Sequence, residues 1–236
     1  MLGIRFGKKR KRPLLVVLAG PNGAGKSTFY ETRIARYARN SLPFINADLI
    51  AKNMAKKGER ISDEKAARLA GKARREYLAK SLDFCMETVF SDPKGYKRDF
   101  LRLAKNSGYL VFMVFIGLDS AELSHARVKT RVEAGGHAVP PEKLDERFPR
   151  TIENLRLAIP HINYVYLFDN SSYDDAYRPV AFCHLGDVKW LRPPIPPWAS
   201  KVLPGPLKDE VVESISDDME KVFRKLLGGQ KAKPNE

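Results

Sequence analysis

The chain has 236 residues, room for one domain with decorations or two small ones. Its apolar share of 43% supports a sizeable core, and no apolar run reaches the roughly 20 residues of a membrane helix. Its two cysteines, Cys85 and Cys183, lie far apart without metal-like partners, which excludes a disulfide framework and leads us to expect a reducing cytoplasm.

The net charge is +14, and residues 1–12 supply +6 of it through Arg5, Lys8, Lys9, Arg10, Lys11 and Arg12. A polybasic start of this kind suits nucleic acid, anionic lipid or an import receptor, but a solvated arm is the simpler reading. It leads through a short apolar run, so no signal peptide is expected. The remaining positive excess fits a protein that handles anionic ligands.

The first apolar run, 13–19, ends in Gly20-Pro21-Asn22-Gly23-Ala24-Gly25-Lys26-Ser27-Thr28. This is the pattern G-x-x-x-x-G-K-[ST] between a strand signal and a helix signal. The glycines let backbone N–H groups face phosphate oxygens, and the helix that begins near Lys26 adds the positive end of its dipole. Lys26 supplies a mobile charge, and the Ser27 hydroxyl can join a Mg²⁺ shell.

Four more apolar runs follow, at 42–46, 83–90, 109–118 and 161–168, separated by helical patterns at 26–38, 49–81, 95–106 and 120–158. Strands alternating with helices, without clean polar alternation in the strands, predict an α/β fold with a parallel sheet covered on both faces. Beyond residue 169 the pattern weakens. Residues 191–198 read as a Pro-rich connector on the surface of the core, and 207–227 as an amphipathic helix that packs back on it, followed by a frayed tail. These boundaries divide the chain into an arm (1–12), a core domain (13–190, with a lid at about 131–150) and a C-terminal region (191–236).

In a parallel sheet the ligand sits beyond the carboxyl ends of the strands, so those ends carry the candidate residues. Asp48 follows the second run and suits a general base, with an N-cap as the structural alternative. Glu87 and Thr88 close the third run, where they suit substrate hydroxyls or a water-mediated Mg²⁺ contact. The alternative is a pair that bonds the loop backbone. After the fourth run, Arg127 and Arg131 share a helix face, Gly135-Gly136 and Pro140-Pro141 punctuate the chain, and Arg147 and Arg150 follow. Together these have the anatomy of a hinged lid whose arginines stabilise charge on a transferring group. The alternative pairs them with Glu133, Glu142 or Glu146. His137 reads as a lid or packing histidine. Asp169, Asn170 and Ser171 end the fifth run and line a nucleotide-base pocket or turn the chain.

These segments resemble the zeta-toxin family of P-loop kinases, and most of all its chromosomal zeta-like branch. The resemblance covers about residues 13–171. It rests on the loop 20–28, Asn46-Ala-Asp48, Glu87-Thr88, Arg131-Val-Glu-Ala-Gly-Gly-His137-Ala-Val-Pro140, Arg147-Phe-Pro-Arg150, Asn154-Leu155 and Asp169-Asn170-Ser171. It implies a three-layer P-loop NTPase fold with five parallel strands in the order 2-3-1-4-5 and a helical lid. It also implies a kinase that moves the γ-phosphate of ATP, with Mg²⁺, to a hydroxyl of a nucleotide sugar such as UDP-N-acetylglucosamine. On that likeness Asp48 is the base, Lys26 the phosphate clamp, and Arg131 with Arg147 or Arg150 the stabilising cations. Glu87 and Thr88 bind the sugar, Asn170 lies at the nucleotide, and an antitoxin protein is an expected partner. Two other readings stand beside it: a polynucleotide 5′-hydroxyl kinase, which the basic arm favours, and a toxin-type interaction protein. No aromatics interleave with the basic cluster, as single-strand binding would need.

Overall fold

The computed structural model describes residues 12–35, 42–136 and 138–205. The expected basic arm up to residue 11, the end of the first helix at 36–38, His137 and the helix at 207–227 lie outside the described residues.

The apolar runs form strands where expected: β1 (Leu14–Ala19), β2 (Phe44–Ile45), β3 (Phe84–Thr88), β4 (Leu110–Gly117) and β5 (Tyr164–Asp169). Between them lie α1 (Lys26–Phe29), continued by a wider turn at Tyr30–Ile34, then α2 (Ala47–Lys56), α3 (Asp63–Ala79), α4 (Tyr96–Asn106), α5 (Ala121–Glu133) and α6 (Pro141–Ala158). The helical pattern 49–81 is thus two helices. The chain turns at Gly58, and the Ser62 hydroxyl restarts it by accepting from the Lys65 N–H.

The sheet has seven strands rather than five. The parallel part keeps the expected order β2-β3-β1-β4-β5. Two further strands, β6 (Arg178–His184) and β7 (Asp187–Leu191), extend it antiparallel beyond β5. They form a hairpin whose two-residue turn, Leu185-Gly186, has positive φ at both positions (52° and 93°), the backbone that matches the twist of paired strands.

β1 is buried throughout, and its side chains alternate between two apolar layers. Leu15 and Val17 face a layer with Ala70 of α3, Leu101 of α4 and Leu155 of α6. Leu14, Val16 and Leu18 face the other, with Phe29 of α1, Phe112, Tyr166 and Trp190. This makes three layers around a central sheet.

The Pro-rich segment runs exposed at Arg192, Pro193 and Pro194, as a surface connector does, and then turns inward. The short helix α7 (Pro197–Ser200) carries Trp198 and Ala199 into the core, with Val202 and Leu203 following. The Trp198 ring packs at 5.5 Å from Phe115 and donates its Nε1–H to Asp169 Oδ1 at 2.9 Å. A Cβ at position 117 would fall 2.3 Å from that ring, so Gly117 is the residue that lets Trp198 in. Prolines here set the path of a segment whose one large aromatic is an anchor.

Candidate active site

The phosphate loop joins β1 to α1 at the centre of the sheet. Gly25 sits in the left-handed region at φ 84°, and a Cβ there would meet the Tyr177 hydroxyl at 2.6 Å. Glycine is required because its neighbours brace the loop closely. The Tyr177 hydroxyl donates to Gly25 O at 2.9 Å, Asn170 Nδ2 donates to Ala24 O at 3.0 Å, and the Ser124 hydroxyl donates to Asn22 O at 2.8 Å. The loop is therefore fixed from β5, from the β6 approach and from α5.

Asn170 is spent on this brace. Its Oδ1 accepts from the Tyr177 N–H at 3.1 Å, and the side chain is buried. The amide expected at the nucleotide supports the loop from behind. Tyr177, which the sequence reading passed over, is its partner. Tyr173 is exposed, and the Arg127 guanidinium lies 5.1 Å from its ring centroid. Arg127 also donates to Ser171 O at 3.4 Å.

Lys26 is buried, and its Nζ donates to Gly20 O and Pro21 O at 3.0 and 2.8 Å. Burial pulls its pKa below the ordinary lysine value; the Glu87 charge opposes this, the Arg131 charge adds to it, and the Asp48 charge opposes it. Glu87, Arg131 and Asp48 thus all act on the phosphate-loop lysine. Three of the expected site residues, drawn from three different elements, lie within electrostatic range of the fourth.

Glu87 takes a more specific place than substrate binding. Its Oε2 accepts from the Ser27 hydroxyl at 3.2 Å and from Asn46 Nδ2 at 2.7 Å. The carboxylate therefore links the first turn of α1 to the end of β2. Asn46 does two jobs, because its Oδ1 caps α2 by accepting from the N–H groups of Asp48 and Leu49. The cap is Asn46 rather than Asp48, and it leaves the Asp48 carboxylate exposed in the first turn of α2, within electrostatic range of Lys26.

Thr88 shows the structural alternative. It is buried, and its hydroxyl accepts from the Phe90 N–H at 2.9 Å, supporting a turn in which Phe90 has φ 63°.

The arginines divide. Arg131, near the end of α5, acts on Lys26. Arg147 acts on Lys97 instead, and Arg150 pairs with Glu146 at 3.1 Å. The helix that carries them is held down: Thr151 donates to Val89 O at 3.0 Å, and Asn154 Nδ2 donates to Phe90 O and Asp92 O at 2.9 and 3.1 Å. His125 and Asp145 join α5 to α6 at 2.8 Å. Gly135, at φ 82°, and Gly136, whose N–H donates to Arg131 O, end α5.

Among the described residues no three His, Cys, Asp or Glu side chains cluster as a metal site, and no helix is long and apolar enough to cross a membrane. The Ser27 hydroxyl and Glu87 carboxylate are oxygen donors at the loop, a pair that fits a hard cation shared with phosphates and water.

With the loop, its lysine and the strand-end carboxylate in place, the match to known families is decisive. The model of the Zeta toxin family matches residues 3–176. The chain belongs to the Zeta toxin family. Its fold is that of the P-loop kinases. A protein of Haemophilus influenzae, described only as uncharacterized, is 28% identical over 134 residues, or 56% of this chain and 91% of its own length. Among solved structures, that of the PezAT chromosomal toxin–antitoxin system of Streptococcus pneumoniae matches 95% of this chain and 90% of its own at 17% identity, with a TM-score of 0.55. Complexes of AvrRxo1-ORF1 with AvrRxo1-ORF2, one with sulphate ions and one with ATP, both match with a TM-score of 0.62 at 17 and 18% identity. They cover 87 and 88% of this chain, which spans 66% of theirs.

Proposed function

We propose that this member of the Zeta toxin family is an ATP- and Mg²⁺-dependent phosphotransferase. It moves the γ-phosphate to a hydroxyl of a small anionic acceptor, a nucleotide sugar such as UDP-N-acetylglucosamine. The observation that carries the reading is the Glu87 carboxylate bonded to Ser27 of the phosphate loop, with Asp48 and Arg131 within electrostatic range of Lys26. A binding module needs the loop. An exposed carboxylate and a second cation beside it suit transfer to an acceptor hydroxyl.

Each residue then has a role. Backbone N–H groups of the loop and Lys26 hold the β- and γ-phosphates. Ser27 and Glu87 hold Mg²⁺, which when bound neutralises phosphate charge; Asn46 keeps Glu87 in position. Asp48 accepts the proton of the acceptor hydroxyl as its oxygen bonds to the γ-phosphorus. The bond from the γ-phosphorus to the bridging oxygen breaks, and ADP leaves with that oxygen. Arg131 stabilises charge on the transferring group.

The test is γ-phosphate transfer from labelled ATP to UDP-N-acetylglucosamine, other nucleotide sugars and a 5′-hydroxyl oligonucleotide, with Lys26→Ala as the blank. Labelled nucleotide sugar supports the reading. Label on the oligonucleotide alone replaces the acceptor with nucleic acid. An inhibitory protein partner is proposed on family grounds. Growth arrest on expression that disappears in Lys26→Ala would tie any toxicity to transfer.

A further inference from the structure

The parallel strands carry the phosphate loop at their carboxyl ends. Their amino ends form a second face, which the roles above leave unused. β1 begins there at Leu14, roughly 17 Å from the start of the loop. Arg12 is fixed at this face, where its Nε and Nη2 donate to Gly108 O and Tyr109 O at 2.9 and 3.2 Å. The Tyr109 hydroxyl donates in turn to Tyr77 O and Leu82 O at 2.8 and 2.9 Å. The turn before β3 and the turn before β4 are thus tied together, with Arg12 on the second.

The face is basic. Lys80 and Lys105 stand in these two turns, and neither forms an ion pair among the described residues. The nearby acids are engaged. Asp83 Oδ1 accepts from the Leu14 N–H at 2.7 Å, Asp99 pairs with Arg102 at 3.1 Å, and Asp187 pairs with Lys189 at 3.0 Å. Lys8, Lys9, Arg10 and Lys11 directly precede Arg12, so the polybasic run joins the fold here.

The same end exposes leucine. Leu82 in the turn before β3, Leu103 in the last turn of α4 and Leu185 in the β6–β7 turn are 46, 54 and 47% exposed, and Leu157 near the end of α6 is exposed too. The Leu185 N–H donates to Asn163 O at 3.0 Å, and Asn163 Oδ1 accepts from the Val111 N–H at 3.0 Å, so the hairpin turn is held to the starts of β4 and β5. Where α6 runs toward β5, a cavity of about 280 Å³ mixes Arg98, Arg102 and His161 with Leu101 and Leu157. Leucines scattered singly over a surface need no explanation, but four at one end among unpaired cations do. The exposed tyrosines lie elsewhere: Tyr96 opens α4, and Tyr173 lies against Arg127. Single-stranded nucleic acid uses cations with aromatic faces between them. Cations with aliphatic side chains suit the boundary between headgroups and acyl chains of an anionic bilayer. Leu2, Ile4 and Phe6, ahead of the polybasic run, continue that pattern.

We infer that the amino-terminal end of the parallel sheet, together with residues 1–12, is a docking face for an anionic lipid bilayer. Its lysines and arginines meet the headgroups, its leucines enter the boundary beneath them, and the phosphate loop faces away from the membrane. The inference does not depend on the transfer reaction.

The experiment is co-sedimentation of the full chain with vesicles of phosphatidylcholine alone and of phosphatidylcholine with about 30% phosphatidylserine. The protein sediments with the anionic vesicles and stays in solution with the neutral ones. Lys80→Gln combined with Lys105→Gln weakens binding about fivefold for each charge removed. Leu82→Ser combined with Leu103→Ser weakens it about tenfold. Affinity for a non-hydrolysable ATP analogue is the same with and without vesicles. Equal sedimentation with both kinds of vesicle, sedimentation with neither, or binding that both variant pairs leave unchanged overturns the inference. So does vesicle binding that the ATP analogue displaces, which assigns it to the cations of the loop. Tighter binding of an oligonucleotide than of anionic vesicles, indifferent to the leucine pair, replaces the bilayer with nucleic acid. The comparison of lipids and the competition with the analogue use the parent protein, so they decide the matter even where a variant fails to fold.

Discussion

Ser27 and Glu87, 60 residues apart in the chain, meet at 3.2 Å where the first turn of α1 faces the end of β3. The contact follows from strand order, since β3 lies directly beside β1 and brings Glu87 level with Leu18. It places a carboxylate against the hydroxyl that best suits a magnesium ion. Glu87→Gln should therefore weaken Mg²⁺-dependent binding of an ATP analogue about tenfold or more and leave the fold intact. A magnesium titration of nucleotide binding checks this, and an unchanged midpoint would remove Glu87 from the metal site.

Asp48→Asn tests the base. Positioned proton acceptors contribute about 10²- to 10⁴-fold. The rate of phosphate transfer should fall by that order while nucleotide affinity stays within twofold. Asn46 caps α2 through its own side chain, so the helix start does not depend on Asp48. Unchanged turnover in this variant would assign the base elsewhere.

Trp198 offers a stability test far from the chemistry. Trp198→Ala removes a buried ring that packs on Phe115 and bonds Asp169. The expected loss is about 3–5 kcal/mol, read from urea unfolding. Trp198→Phe keeps most of the packing but leaves Asp169 short of one donor, at about 1–3 kcal/mol. An alanine variant as stable as the parent would mean that 197–203 is not part of the core.

The thiols predict a pH dependence. Burial pushes Cys183 up from 9.0 to about 12, with the Asp187 charge adding to it; Cys85 is held well above the ordinary range by burial and by Glu87. The folded protein keeps these protons where the unfolded chain releases them. Their contribution to stability is complete below about pH 9 and is lost as pH rises toward 12. The steepest slope is about 1.4 kcal/mol per pH unit for each thiol. Urea midpoints at pH 8 and pH 10.5 measure it, and Cys183→Val should flatten the difference. A thiol reagent at pH 8 should label neither cysteine before denaturation.

The parallel half of the fold was legible because its strands are unbroken Val, Ile, Leu and Phe runs that each end in a polar cluster. The hairpin was not. Pro179 within β6 argues against a strand, and Leu185-Gly186 is a weak turn signal because leucine rarely takes positive φ. A register shift at Leu167/Phe168, across from Pro179, is how β5 and β6 pair around it. The site was legible as residue types at strand ends, and Asp48, Glu87 and Arg131 lie within electrostatic range of Lys26. Which neighbour each side chain faces was not. Glu87 turns to Ser27, Thr88 to its own turn and Asn170 to the back of the loop, because strand register and loop closure decide direction. Arg147 and Arg150 sit on a helix face whose rotation is set by Thr151 and Asn154, two polar residues that a charge pattern does not reveal.

The similarity to the family ends at residue 176, and Tyr177 is the next residue. Its hydroxyl holds Gly25 O, and the strand that it opens covers the outer side of β5. The nucleotide-binding half is thus not a separable module. A truncation after residue 176 would keep every catalytic candidate, yet it would release the loop from one of its braces. It would also bare an apolar strand edge of the kind that pairs with other chains, where the intact sheet ends instead in β7 with Asp187 and Lys189. Shortening the protein to its recognisable portion should yield aggregation before it yields a smaller kinase.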